Sequence, residues 1–316
     1  MVSTTTQSQL GPMSRLVSGI LSIRPLADFA KHQARQMMIK RAEQLGVPWR
    51  EEAQKLRAQN LESNYDRLVD SNLTYPDYYL NSFHAYETGN LNWEAATELE
   101  VAAKAVHAKI WPEAGANGDT KLRQSYHDRL LDCLPTPPKD IVDLGCGVGL
   151  STFALQATYP HARMTGVDLS PYFLAVAAHQ SQHRYSKIGH PIRWVHAAAE
   201  RTELPTASFD LVSVCLVLHE LPQAATRALL QEARRLLRPT GHLAIMAMNP
   251  QSEVVAKMPP YVLTLLKSTE PWLDEYFSLD LVAAIAKAGF NEPTINFNSP
   301  RHRTVIASVA KSEIDG

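Results

Sequence analysis

The sequence predicts an α/β fold, a largely parallel sheet with helices on both faces, preceded by an all-helical N-terminal extension. Three observations carry that prediction. From Lys139 onward, short apolar runs alternate with helical segments, the pattern of parallel strands joined by crossover helices. Ahead of that point, Leu26, Ala30, Ala34, Ala42 and Leu45 recur at helical spacing. Finally, 316 residues at 45% hydrophobic and 20% charged content suit a folded core domain of ordinary size with an added segment.

Residues 1–24 hold Arg15, Arg24 and several Ser and Thr, and no acid, so they are expected to form a flexible or transit-like N-terminus. Between Pro25 and Leu45, Lys31, Arg35, Lys40 and Arg41 separate the apolar positions and make a basic amphipathic helix. Such a helix suits either docking on its own domain or peripheral contact with an anionic membrane. Pro48 restarts the chain, and a second helix is expected over 49–61. The run from Tyr75 to Trp93 is dense in aromatics for a loop. Asn92 is placed to cap the helix that follows, with Glu94 in its positive first turn and the helix running to Trp111. The PEAGANGD segment breaks it, Asp119 to Leu134 forms another, and a boundary is expected near Pro138. That gives three regions: 1–24, a helical cap over 25–135, and a sheet domain over 136–316. Strands are expected at 140–144, 163–168, 192–196, 210–216, 242–248, 294–298 and 304–309, the last two antiparallel at one edge. Helices are expected at 149–158, 171–184, 223–237 and 280–288.

Composition excludes several classes. Thirty-one basic against thirty-two acidic side chains leave a net charge of −1, which gives no field for gathering nucleic acid. No run approaches the roughly 18 apolar residues that span a bilayer. The three cysteines lack a disulfide framework, which fits a reducing, cytoplasmic setting. The twelve histidines are scattered and no Cys pair stands at C-x-x-C, so no metal is expected.

The chemistry is concentrated where Ile141 to Leu144 runs into Gly145, Cys146, Gly147, Val148 and Gly149 before a helix opens. Glycine in a strand-to-helix turn lets backbone approach a ligand closely. The string is D-x-G-x-G-x-G from Asp143; a dinucleotide fingerprint would need glycine at Leu150. Asp168 ends the second predicted strand, where an acid can accept from both hydroxyls of a ribose or simply cap the next helix.

These residues resemble the first motifs of the class I S-adenosylmethionine-dependent methyltransferases, with a Rossmann-like seven-stranded sheet. Glu200, Leu204, Pro205 and the stretch 208–212 are similar to the family's adenine loop and fourth strand, and 237–243 to the turn before its fifth. The likeness covers 139–309 and is strongest to ubiquinone- and menaquinone-type small-molecule methyltransferases. It implies S-adenosyl-L-methionine as cofactor. Asp143 and the loop amides from Gly145, Cys146, Gly147 and Gly149 would face its methionine part, Asp168 its ribose, and Leu169, Ala198, Ala199, Glu200 and Leu216 its adenine and surroundings. One departure is that Ala198 stands where many members carry an adenine-binding Asp.

Methyl transfer from a sulfonium needs acceptor and methyl held at near-attack distance with water excluded, and an oxygen or activated-carbon acceptor also needs a base. His219 and Glu220, after the fourth predicted strand, are the catalytic candidates; a backbone-bonded histidine and a helix N-terminal charge are their ordinary explanations. His84, Tyr86, Asn90 and Trp93 from the aromatic run, and Asn249, Tyr261 and Trp272 after the fifth strand, are expected to line the acceptor site. Arg301, His302 and Arg303 fall in the edge hairpin turn, where a solvated turn is expected in preference to an anion site. The Met, Tyr and Trp content favours a small, lipophilic, quinol- or lipid-like acceptor. No nucleic acid or obligate protein partner is expected. The alternative function is a cofactor-binding, non-catalytic assembly or regulatory protein.

Overall fold

The computed structural model describes residues 24–82, 86, 88–183 and 190–311; the expected flexible segment before Arg24 and His84 lie outside them, as does the side chain of Tyr261. Seven strands form one sheet in the order β3-β2-β1-β4-β5-β7-β6. They are β1 Asp140–Leu144, β2 Arg163–Asp168, β3 Arg193–His196, β4 Phe209–Cys215, β5 Leu237–Met248, β6 Thr294–Phe297 and β7 His302–Ser308. The first five run parallel, while β7 pairs antiparallel with both β5 and β6. Only β5 departs widely from the expected range. It begins at Leu237, because a register shift opposite Phe209 and Leu211 absorbs the Arg238-to-Gly241 turn without ending the strand.

The cap contains α1 Arg24–Gln44, α2 Trp49–Arg57, α3 Glu62–Leu68 and α4 Trp93–His107. Asn92 caps α4 as expected, its Oδ1 accepting from the Ala95 amide at 2.7 Å. The helix expected over 49–61 ends at Arg57 and a separate one begins at Glu62, with Leu61 between them packed in an apolar cluster with Ala95, Ala96, Phe173 and Val176. In α1, Ile39 and Ala42 pack with Val47, Trp49 and Val101, so these two positions are covered by the cap itself. Arg35 bonds Glu94 and Glu98 on α4. Among the described residues no helix is long and apolar enough to cross a membrane.

Next comes α5 Gly118–Cys133, which lies before the expected boundary yet packs in the sheet's own core. Leu122, Tyr126 and Leu130 are fully buried against Ile141, Leu155, Leu211 and Ala244. The Tyr126 hydroxyl lies 3.1 Å from Ser213 Oγ and donates to the Ala244 carbonyl. The sheet domain therefore includes a helix from ahead of Pro138. Helices α6 Leu150–Thr158 and α7 Pro171–His183 follow β1 and β2. On the sheet's other face lie α8 Gln223–Leu236, α11 Leu273–Ser278 and α12 Leu281–Lys287, through Leu229, Leu236, Tyr276 and Ile285. Two short helices, α9 Glu253–Ala256 and α10 Pro260–Thr269, follow β5.

Candidate active site

The carboxyl ends of the strands and the cap enclose a cavity of about 460 Å³. Its floor begins at the glycine loop. Gly145 has φ +72°, and a Cβ there would stand 2.6 Å from Val217 Cγ2, so only glycine leaves this corner open. The loop's donors are used internally: the Gly145 and Cys146 amides donate to the Val167 carbonyl, and the Gly147 amide to Asp168 Oδ2 at 2.8 Å. The free loop amides expected for the methionine part are thus replaced by Cβ-free space. Asp143 does not line the cavity. It is wholly buried behind the loop, where Oδ2 accepts from Ser151 Oγ and Thr152 Oγ1 and holds the start of α6. Gly149 is likewise off the cavity, a left-handed cap packed near Phe153 and Trp194.

Asp168, Leu169, Cys146 and Gly147 line the cavity. Burial raises the Asp168 carboxyl to about 6 against the opposing pull of the Ser170 and Gly147 amides. Each carboxylate oxygen accepts one backbone N–H and keeps further lone-pair capacity, which suits a vicinal diol. Burial also pushes the Cys146 thiol well up, so it stays protonated. Ala199 and Glu200 line the wall, whereas Ala198 is turned into a bridge with Arg201. Glu200 Oε1 accepts from the Tyr78 hydroxyl at 2.5 Å, tying this loop to the cap. Leu216 lines the cavity at φ +61°, a left-handed strain of about 1 to 2 kcal/mol for a non-glycine residue, held by its amide bond to the Met246 carbonyl. Together these residues fit an adenosyl group.

His219 and Glu220 sit on a 3-10 turn directly after β4, and both line the cavity. Tyr86 and Asn90 line its roof. Trp93 does not: it packs on Tyr65 and Tyr172, with ring centroids 5.8 and 4.9 Å away, and anchors the cap to α7. Asn249 closes the turn after β5 by accepting from the Gln251 amide, and Trp272 donates its indole N–H to the Tyr78 carbonyl; neither reaches the cavity.

Other lining residues escaped the sequence reading. Tyr79 is half-buried and its hydroxyl is bonded to Asn90 and pushed far above the ordinary range by desolvation and by the charges of Asp168 and Glu220. Tyr86, already among the expected residues, donates to Glu98 at 2.7 Å, inside the Arg35 network. His107 Nδ1 lies 2.7 Å from Asp119 Oδ1, and Arg123 Nε donates to Asp119 Oδ2 at 2.9 Å. Burial opposes the Asp119 charge, yet Arg123 and His107 outweigh it and hold the carboxyl well below its usual range. Arg301 and His302 also face the cavity, which overturns the solvated-turn expectation, because β7 starts where the other strands end. The aromatic density of 75–93 pointed toward Tyr78 and Tyr79. No periodic signal marks His107, Arg123 or Arg301.

Residues 141–241 match the methyltransferase domain family. An uncharacterised methyltransferase of Mycobacterium bovis is 35% identical over 38% of this chain and 56% of its own length. The demethylmenaquinone methyltransferase of Thermus thermophilus is 30% identical over 40% of the chain and 54% of its own length. The chain thus spans only about half of these curated relatives. A solved structure from Methanococcus maripaludis, described as an S-adenosyl-L-methionine-dependent methyltransferase, aligns with a TM-score of 0.50 at 15% identity, covering 71% of this chain and 95% of that one. It shares the fold. The matched stretch carries the glycine loop and Asp168, and so makes this part of the sheet domain similar to class I methyltransferases.

Proposed function

We propose that this chain is an S-adenosyl-L-methionine-dependent methyltransferase acting on a small, mostly apolar acceptor, quinol- or lipid-like, at oxygen or activated carbon. The observation that carries this reading is the continuity of the cavity. It joins Asp168 and the glycine loop to a chamber walled by Leu99, Ala102, Ala103 and Val106 of α4, with Met248 and Leu266 opposite. The name of the Thermus thermophilus relative supports the lipophilic side of the reading.

When bound, the cofactor supplies a methyl group activated by a sulfonium. The chain then has to position, exclude water and handle a proton. Asp168 accepts from the ribose hydroxyls. Tyr79 and Asn90 close the roof over that end, Tyr79 keeping its proton. His219, at the mouth of β4, takes the acceptor's proton, with Glu220 beside it.

Calorimetric titration with S-adenosylmethionine and S-adenosylhomocysteine tests the reading. Micromolar binding of both is expected, with at least a tenfold loss in Asp168→Ala. With a methylated acceptor in hand, His219→Ala is expected to lower turnover far more than cofactor affinity. Absence of binding by either compound would favour a non-catalytic role, with Ala198 marking a lost adenine contact.

A further inference from the structure

Of the carboxylates lining the cavity, Asp168 ends β2 and Glu200 and Glu220 follow β3 and β4, on the half that holds the glycine loop, while Glu270 stands between α10 and α11. The opposite half, at β5 and β7, presents Arg301 and His302, with His107 edge-on to His302 at 5.9 Å between ring centroids.

Arg301 differs from the other arginines of the cavity. Arg35 is bonded to Glu94 and Glu98, and Arg123 to Asp119. The Arg301 guanidinium makes only a long 3.4 Å bond to the Val106 carbonyl and has no carboxylate partner among the described residues. It is partly buried, with Arg41 adding like charge, and both burial and Arg41 pull its pKa down. A desolvated guanidinium calls for an anion, and its planar fork suits the paired oxygens of a carboxylate or phosphate. Beside it, His302 is held neutral by burial, down to about 2, so it adds a hydrogen-bonding ring without adding charge. Ala102, Ala103 and Val106 supply the apolar wall next to this cluster.

We propose that the β5/β7 half of the cavity is an anion subsite, in which Arg301, flanked by His302 and His107, holds the carboxylate or phosphate of an otherwise apolar acceptor. This rests on the methyltransferase reading for the word acceptor, but its test does not. Decanoate, decyl phosphate and the neutral methyl decanoate, all below their aggregation limits, are titrated into the S-adenosylhomocysteine-saturated protein and, in parallel, into the protein alone. At least one acid is expected to bind tenfold or more tightly than the ester. Whichever acid is preferred tells carboxylate from phosphate. In Arg301→Gln that preference is expected to vanish while S-adenosylhomocysteine affinity stays unchanged; Arg301→Lys, which keeps the charge without the fork, is expected to retain part of it. Equal binding of acids and ester by the wild type, binding of none of the three, or a preference that survives in Arg301→Gln would overturn the proposal and leave Arg301 as a tie between the β7 turn and α4. Failure of S-adenosylhomocysteine to bind would count against the methyltransferase reading alone.

Discussion

Asp168 meets two opposed demands. It must be buried enough to exclude water from a ligand's hydroxyls, and charged enough to accept from them. Burial has moved its carboxyl to about 6. The ionised form is the better acceptor, so affinity for S-adenosylhomocysteine is expected to hold above that value and to fall below it, approaching about tenfold per pH unit. Calorimetry from pH 7.5 to 5 checks this, with Asp168→Asn expected to be weak and flat over the same range. Gly145 poses a steric question instead. An alanine there would carry φ +72° and set its Cβ 2.6 Å from Val217, costing about 1 kcal/mol or more in backbone strain alone. Gly145→Ala should lower the melting temperature modestly and cofactor affinity strongly. Unchanged affinity would remove the loop from the binding site.

At the scale of elements, α5 decides where the sheet domain begins. Its Leu122, Tyr126 and Leu130 cover one face of the sheet, and Tyr126 is bonded to both β4 and β5. Losing the helix would expose that face and leave the Ala244 carbonyl without its side-chain donor. A fragment starting at Pro112 is expected to unfold cooperatively in urea with protected strand amides. One starting at Thr136 should not, although it keeps all seven strands; cooperative unfolding of the shorter fragment would return the boundary to Pro138. The cap helices behave differently, since α1 and α2 have their own cluster around Trp49 and Val101 and meet the rest through α4.

For the whole molecule, buried histidines couple stability to pH. Burial holds His127 neutral down to about 4 and His302 to about 2. Below about 6.5 the unfolded chain takes up protons at these positions that the folded chain cannot, so stability falls with pH, by up to about 1.4 kcal/mol per pH unit for each. Asp168 acts in the opposite sense between its unfolded value and about 6, where the folded state retains a proton that the unfolded chain has lost. His179, His196 and His242 are pushed down by burial as well, and Asp143 is pushed up like Asp168, so the histidines outnumber the opposing carboxyls and leave a net decline on acidification. Urea midpoints at pH 7.5, 6 and 5 should show it, and His127→Gln should shallow the slope above pH 4. An identical slope in that variant would remove His127 from the account.

The alternation after Lys139 determined the strands, and the residues Asp143, Gly145, Gly147, Gly149 and Asp168 determined the kind of domain, because both depend on local spacing: a strand's period, a turn only glycine makes, an acid at a strand end. Asn92 was legible as a cap for the same reason. The tertiary structure decided what depends on distant segments meeting. It turned Asp143, Gly149, Ala198 and Trp93 away from the cavity, gave α5 to the sheet, and brought Tyr79, His107 and Arg301 from three separate stretches of chain onto one enclosed space. Arg301 shows the physical reason. In sequence it lies in a polar turn like many others; only the reversal of β7 against β5 carries that turn to the carboxyl ends of the strands, where burial makes its charge count.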